Sequence, residues 1–240
     1  MHDVIVVGGG FAGVAAAREV VRAGRTALLL EARDRLGGRT WTAGWNGHAI
    51  EYGGGWVHWH QPHTWSEILR HGLQVEIGAP ADSVWWHVGD EASHGTNAER
   101  DAIARRGWDA FLEGVDDYLP LPYDPTARMD AFRRIEGQTI QQRMDELDLD
   151  DEERDVLAAE LESVAHGYLD DAGAASIARW HALSGYSLEL TQYTGGRITI
   201  TSGTRSLVEA IADEAPFERR LSTPVVIVMR PPVYCVSSSE

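Results

Sequence analysis

The sequence predicts an α/β fold: a sheet-forming segment with parallel strands, interrupted by a mostly helical insertion. Three observations predict it. A β-branched run, a glycine turn, an alanine-rich helix and a second apolar run succeed one another over residues 4–31. The stretch 82–194 then reads as a series of helices. The stretch 195–229 returns to helix and strand signals, and 230–240 reads as a disordered, Ser-rich tail.

The elements follow in order. Val4-Ile5-Val6-Val7 has no polar interruption and is expected to be a strand buried on both faces, as in parallel sheets. Gly8-Gly9-Gly10-Phe11-Ala12-Gly13 follows at once. Val14 to Ala23 is an Ala-rich helix with Gly24 as its stop. Thr26 to Leu30 is a second buried strand, and Glu31 ends it.

Gly8, Gly10 and Gly13 have the G-x-G-x-x-G spacing. The first glycine permits the tight turn, the second lets the backbone approach a pyrophosphate, and the third lets the helix pack against the strand. The helix N-terminus offers free N–H groups and a positive dipole end to phosphates. Glu31 lies 18 residues after Gly13, where a carboxylate accepts from ribose hydroxyls. An acid there favours an unphosphorylated ribose, hence FAD or NAD over NADP.

Arg35-Leu36-Gly37-Gly38-Arg39 comes next. It resembles the R-x-G-G-R motif of the flavin-containing amine oxidase family, which includes monoamine, polyamine and L-amino-acid oxidases. Glu51-Tyr52-Gly53-Gly54-Gly55-Trp56-Val57 resembles that family's (D/E)-x-G-G-x-(W/Y)-(I/V). Trp45-Asn46-Gly47-His48 before it reads as a hairpin turn. Gly203 to Val208 resembles the family's G-G-x-x-x-L helix entry, and Thr223-Pro224-Val225 its adenine-contacting strand.

The resemblance implies a Rossmann-like FAD-binding domain and a cofactor set on these positions. Gly8, Gly10, Phe11, Ala12 and Gly13 would meet the pyrophosphate, and Glu31, Ala32 and Arg33 the adenosine end. Gly37, Gly38, Arg39 and Thr40 would meet the diphosphate, with Arg39 supplying charge. Gly53, Gly54, Gly55 and Trp56 would pass the isoalloxazine ring, and the Val225 backbone would meet the adenine. The domains so implied are an FAD-binding first segment 1–81, a helical substrate segment 82–194 and a return segment 195–229.

Within the insertion, Thr96 to Tyr118 is an amphipathic helical pattern ended by a Pro-rich break. Thr139 to Leu147, Asp150 to about His166 and Ala172 to Leu183 are further helices, and His63 to Gly72 is a short one before the insertion. Acids open the helix at Asp150, where they complement its dipole. Trp85, Trp86, Trp180, Tyr186 and Tyr193 are candidates to line an aromatic cavity for an amine, against the simpler reading of core packing. His58, His60 and His63 form H-x-H-x-x-H, but no acid or Cys ligand adjoins them, and polar loop roles, or lining of the flavin site, are favoured over metal.

Composition narrows the classes. Lys+Arg number 21 and Asp+Glu 37, a net charge of −16 that counts against nucleic-acid binding. All basic residues are Arg, so no chemistry in this chain uses lysine. The lone Cys235 excludes an internal disulfide. No apolar run suits a membrane helix, and the N-terminus lacks a signal-peptide pattern, so a cytoplasmic location is expected.

The family's second half supplies more substrate domain, a further FAD motif and, in many members, a lysine near the flavin. None of these is found here, so the chain is expected to be an N-terminal fragment lacking the C-terminal half of the fold. The leading function is FAD-dependent oxidation of an amine C–N bond to an imine, with dioxygen reduced to hydrogen peroxide. No acid or base is assigned. A desaturase-like or porphyrinogen-oxidase-like flavoenzyme, and a nucleotide-binding remnant without turnover, stay open as alternatives. The particular amine and the oligomeric state are not legible.

Overall fold

A computed structural model describes residues 1–226. In chain order it begins with β1 (Val4–Val7), α1 (Phe11–Arg22), β2 (Ala27–Leu30), β3 (Thr42–Trp45), β4 (His48–Glu51) and α2 (Pro62–Arg70). β5 (Val75–Ile77), β6 (Val84–Val88), β7 (Glu91–Gly95), α3 (Asn97–Phe111), α4 (Val115–Tyr118) and α5 (Met129–Phe132) follow. The remainder is α6 (Ile140–Asp145), α7 (Asp151–Ala165), α8 (Ala174–Leu183), α9 (Leu188–Thr194), β8 (Ile198–Ile200), α10 (Thr204–Asp213) and β9 (Glu218–Arg220). The expected tail 230–240, the end of the return segment and Cys235 lie outside the described residues.

The chain divides into two compact units. The first comprises residues 1–55, 63–76 and the described residues from 199 onward. Its sheet has the order β1-β2-β9, with both pairings parallel and Val4 opposite Ala27. Helix α1 packs against β2 and α10, burying Val14 and Ala17 completely.

The sheet corrects one expectation. β2 has a strand on each side and is buried, with Leu29 at 0% exposure. β1 is the end strand among the described residues, and Ile5 and Val7 are each 58% exposed. The apolar run makes a strand because β-branched side chains suit the extended backbone. Its burial depends on neighbours that four residues cannot specify.

The hairpin forms as its turn chemistry requires. Trp45 pairs with His48 across Asn46 and Gly47, whose φ values are 49° and 82°. Two successive positive φ angles are the demand of a type I′ turn, which Asn-Gly meets at low cost.

In the same unit, Arg18 is buried in a knot of charge. It donates two hydrogen bonds to Glu67, at 2.9 Å each, and one to Glu214 at 2.8 Å. His71 Nε2 lies 3.4 Å from Glu67 and 3.7 Å from Glu214. Glu67, His71 and Glu214 are close enough to chelate a cation. Arg18, Arg22 and Arg70 already pair with these carboxylates, so the arrangement is that of an ion-pair network tying α1, α2 and the end of α10 together.

The second unit comprises residues 56–62 and 77–198. Its core is helical and includes Phe111, Ile135, Ile140, Leu157, Leu161 and Ala178. Thr139 and Asp150 each cap a helix through a reciprocal capping box, with Gln142 and Glu153 as the third helical residues. Two features differ from expectation. The insertion opens with an antiparallel hairpin, β6–β7, in which Trp85 faces His94 and Trp86 faces Ser93. The long helix expected from Thr96 to Tyr118 breaks, because Gly114 takes a left-handed φ of 74° between α3 and α4. No helix among the described residues is long and apolar enough to cross a membrane.

Candidate cofactor and ligand sites

The glycine turn is built as its spacing demands. Gly8 has φ +102°, a backbone conformation L side chains rarely adopt, and its N–H donates to the Leu30 carbonyl at 2.8 Å. A Cβ on Gly13 would penetrate the Gly8 carbonyl oxygen, so only glycine allows α1 to start this close to β1. Gly10 caps α1 with no side-chain hydrogen bond, and among the described residues the N–H groups of Phe11, Ala12 and Gly13 at the helix start have no acceptor.

The second glycine pair folds over the first. Gly37 N–H donates to the Gly9 carbonyl at 2.9 Å, and a Cβ on Gly38 would stand 3.2 Å from the Gly10 Cα. Arg35 holds this loop by donating to the carbonyls of Leu36, Gly38 and Thr40 at 3.2, 3.2 and 2.9 Å. The two motif arginines therefore divide the work. Arg35 faces inward as a brace, while Arg39 is exposed.

Glu31 is 4% exposed at the end of β2. Its Oε2 accepts the Gly9 N–H at 2.6 Å and its Oε1 accepts the Arg33 N–H at 2.8 Å. Burial pushes its carboxyl up, but these two donors and the nearby arginines outweigh that and hold it below the ordinary range. Two of about four acceptor positions are used. Ser222 and Thr223 N–H groups donate to the Arg33 and Glu31 carbonyls at 2.8 Å each, which sets residues 222–223 alongside 31–33.

The third motif packs on the second. A Cβ on Gly53 would lie 2.6 Å from the Arg39 carbonyl oxygen, and one on Gly54 would lie 2.6 Å from Thr40 Cγ2. Gly55 similarly sits over Glu51. Thus the predicted positions from Gly8 to Gly55, with Val225, fall in one unit, whereas Trp56 begins the other.

Glu51 was not among the expected site residues. Its carboxylate accepts from the Thr204 N–H at 2.6 Å and from the Thr42 hydroxyl at 2.8 Å. The acid slot of its motif was the available signal.

In the second unit, Trp85, Trp86, Trp180 and Tyr193 come together around one cavity of about 890 Å³. Tyr186 does not join them; its hydroxyl donates to the Leu119 carbonyl at 2.9 Å. Trp108 and Glu160 also line the cavity, and neither carried a local sequence signal. The His motif separates. His58 and His60 meet edge to face at 5.3 Å, with His58 stacked on Trp180 at 5.9 Å, while His63 belongs to the first unit. Burial first, then His60, lowers the His58 pKa to about 4, so this imidazole is neutral at pH 7.

A parallel strand–helix–strand unit that turns on these glycines and ends in a buried acid has the architecture of the Rossmann-type nucleotide-binding fold. The family model described as flavin containing amine oxidoreductase matches residues 11–234, and the chain belongs to that family. A pseudooxynicotine dehydrogenase from Pseudomonas sp is 36% identical over 95% of this chain and 46% of that protein. A nicotine dehydrogenase from Pseudomonas putida is 32% identical over 95% and 48%. Among solved structures, a putrescine oxidase bound to putrescine superposes with a TM-score of 0.70 at 24% identity, covering 92% of this chain and 51% of that one. A cyclohexylamine oxidase from Brevibacterium oxydans gives 0.65 at 21%, covering 89% and 49%. These two likenesses concern the fold. The chain spans about half the length of the relatives it matches.

Proposed function

We propose that the first unit binds FAD and that the protein oxidises the C–N bond of a small amine to an imine. The observation that carries this reading is the convergence of the separated glycine motifs. Gly9 to Gly37 is a direct backbone hydrogen bond, and Gly53 and Gly54 pack on Arg39 and Thr40. A glycine-lined turn, N–H groups at the start of α1 with no partner among the described residues and an exposed Arg39 suit a diphosphate. The remaining acceptor positions of Glu31 suit ribose hydroxyls. On this reading, 1–81 and 195–229 serve the cofactor and 82–194 the substrate.

When bound, the flavin supplies the hydride acceptor for the carbon beside the amine nitrogen. The chain's own residues bind and orient. The glycine turns let backbone reach the phosphates, Arg35 keeps the second loop closed, and Arg39 balances phosphate charge.

Dioxygen is the electron acceptor in this reading, with hydrogen peroxide as product. A second acceptor is favoured by one observation: two relatives are named as dehydrogenases, of nicotine and of pseudooxynicotine. The same names make an amine carried on an aromatic ring the first substrate class to try.

The test is a visible spectrum of the purified chain after incubation with FAD and desalting. A retained, perturbed flavin band is expected, followed by anaerobic bleaching with an amine panel. A colourless protein would overturn FAD binding. Reoxidation by air, against reoxidation only by an added dye acceptor, separates the two acceptors.

A further inference from the structure

The chain carries two asparagines, and the structure places them in opposite circumstances. Asn97 opens α3; its amide donates to the Ala81 carbonyl, and the residue after it is the helical Ala98. Asn46 stands at the tip of the β3–β4 hairpin, followed by Gly47, and both are exposed. Among the described residues the Asn46 carboxamide has no hydrogen-bond partner and the Gly47 N–H has no acceptor. A glycine nitrogen, with no side chain beside it, is the least shielded nucleophile a peptide offers to a neighbouring carboxamide carbon.

The same hairpin carries a long-range contact. Its register pairs Trp45 with His48 at the turn and Thr42 with Glu51 at the far end. From that end, Glu51 accepts the Thr204 N–H at 2.6 Å and the Thr42 hydroxyl accepts the Arg205 N–H at 3.0 Å, so both strands meet the start of α10. Space there is tight, because a Cβ on Gly203 would collide with the Thr42 side chain. A two-residue type I′ turn fixes the register of the strands it joins, so a change in the length of its backbone reaches Thr42 and Glu51.

We infer that Asn46 is a site of spontaneous modification, converting through a succinimide to isoaspartate, and that the change is transmitted along β3 and β4 to the start of α10. The Gly47 nitrogen bonds to Asn46 Cγ, the Cγ–Nδ2 bond breaks, and ammonia leaves with the proton of the Gly47 N–H. Water then opens the ring and leaves a carboxylate, its proton going to solvent. Addition at the side-chain carbonyl gives aspartate. Addition at the backbone carbonyl gives isoaspartate, whose main chain runs through the former side chain and is longer by one carbon. Either product adds a negative charge to a chain already at −16. Aspartate before glycine still suits a type I′ turn, while the lengthened backbone does not.

The experiment ages the full chain at mildly alkaline pH and physiological temperature, and follows it by ion exchange, peptide mass mapping and enzymatic methylation of isoaspartyl carboxylates. Isoaspartate is expected at Asn46 and not at Asn97, in step with a growing acidic charge variant. The aged protein should unfold at lower urea than the fresh one. Asn46→Gly keeps residues suited to the turn and removes the carboxamide, so its midpoint should not change with ageing. Fresh Asn46→Asp carries the added charge on a normal backbone and should match the fresh wild type. Absence of isoaspartate at Asn46, equal conversion at Asn97, or an unchanged midpoint in the aged wild type would each overturn the inference. So would a fresh Asn46→Asp protein as unstable as the aged wild type, since charge rather than backbone length would then be the cause. If Asn46→Gly fails to fold, the comparison of aged wild type with fresh Asn46→Asp decides. None of these readouts depends on flavin.

Discussion

The Glu51 carboxylate caps helix α10: Oε1 accepts the Thr204 N–H at 2.6 Å and Oε2 accepts the Thr204 hydroxyl at 3.0 Å. The helix has no cap of its own, since Gly203 precedes it with φ 82° and no side chain. An acid more than a hundred residues earlier supplies both the acceptor and the negative charge that a helix N-terminus favours. Thr42 joins the arrangement by donating to Glu51 and accepting the Arg205 N–H at 3.0 Å.

Glu51→Ala is expected to cost about 1–2 kcal/mol of stability, the usual worth of a helix cap. Glu51→Gln, which retains one oxygen acceptor, should cost less. Urea unfolding of the three proteins checks the order. Equal midpoints would mean that solvent caps α10 equally well.

Arg18→Met removes the shared partner of Glu67 and Glu214, leaving two shielded carboxylates facing each other. A loss of about 3 kcal/mol or more is expected, typical of breaking a buried pair from one side. The same contact sets an acid dependence. Hydrogen bonding to Arg18 holds Glu67 below its ordinary value of 4.5; for Glu214, burial pushes up but Arg18, Arg22 and His71 outweigh it. Depressed carboxyls contribute stability fully above the unfolded value, and this is lost as pH falls through the folded values. Denaturation midpoints measured downward from pH 6 should fall for the wild type, and less steeply for Arg18→Met.

Gly13→Ala places a methyl group inside the Gly8 carbonyl oxygen, so the turn and α1 must separate. The expected result is a destabilisation of about 1–3 kcal/mol, the range for overpacking, together with loss of flavin after desalting. Gly44→Ala is the control, because a Cβ there meets nothing within 4 Å. An intact flavin band in Gly13→Ala would remove this turn from the cofactor site.

His58 is expected to remain neutral down to pH 5 when its ring protons are followed by NMR, since its folded pKa is about 4 against an ordinary 6.5. Between those values the unfolded chain binds a proton that the folded chain does not. Stability therefore rises with pH across that window and falls on acidification. His58→Phe keeps a flat ring against Trp180 and should remove this part of the acid sensitivity. A titration midpoint near 6.5 would show that the imidazole is solvated.

The glycine turn, the first helix and the Asn-Gly hairpin were legible because their causes are local. Positive φ, absence of Cβ and the capping boxes at Thr139 and Asp150 are properties of neighbouring residues. The break at Gly114 was equally local, but helical periodicity on both sides of it concealed the left-handed residue. The hairpin β6–β7 was missed because its alternation is weak: β7 reads Glu91-Ala-Ser-His-Gly95, with few strand-forming side chains.

By itself, then, the sequence determined the strand–turn–helix–strand unit, the positions of the glycine motifs and the family they resemble, since spacing and backbone permission are carried along the chain. Tertiary structure alone decided which groups share an environment. Among the described residues it left Val7 of an apolar strand exposed at the sheet's end, carried Glu51 to Thr204 and brought Trp108 to Glu160. Burial and pairing depend on which elements pack together across long separations, and no local pattern encodes that choice.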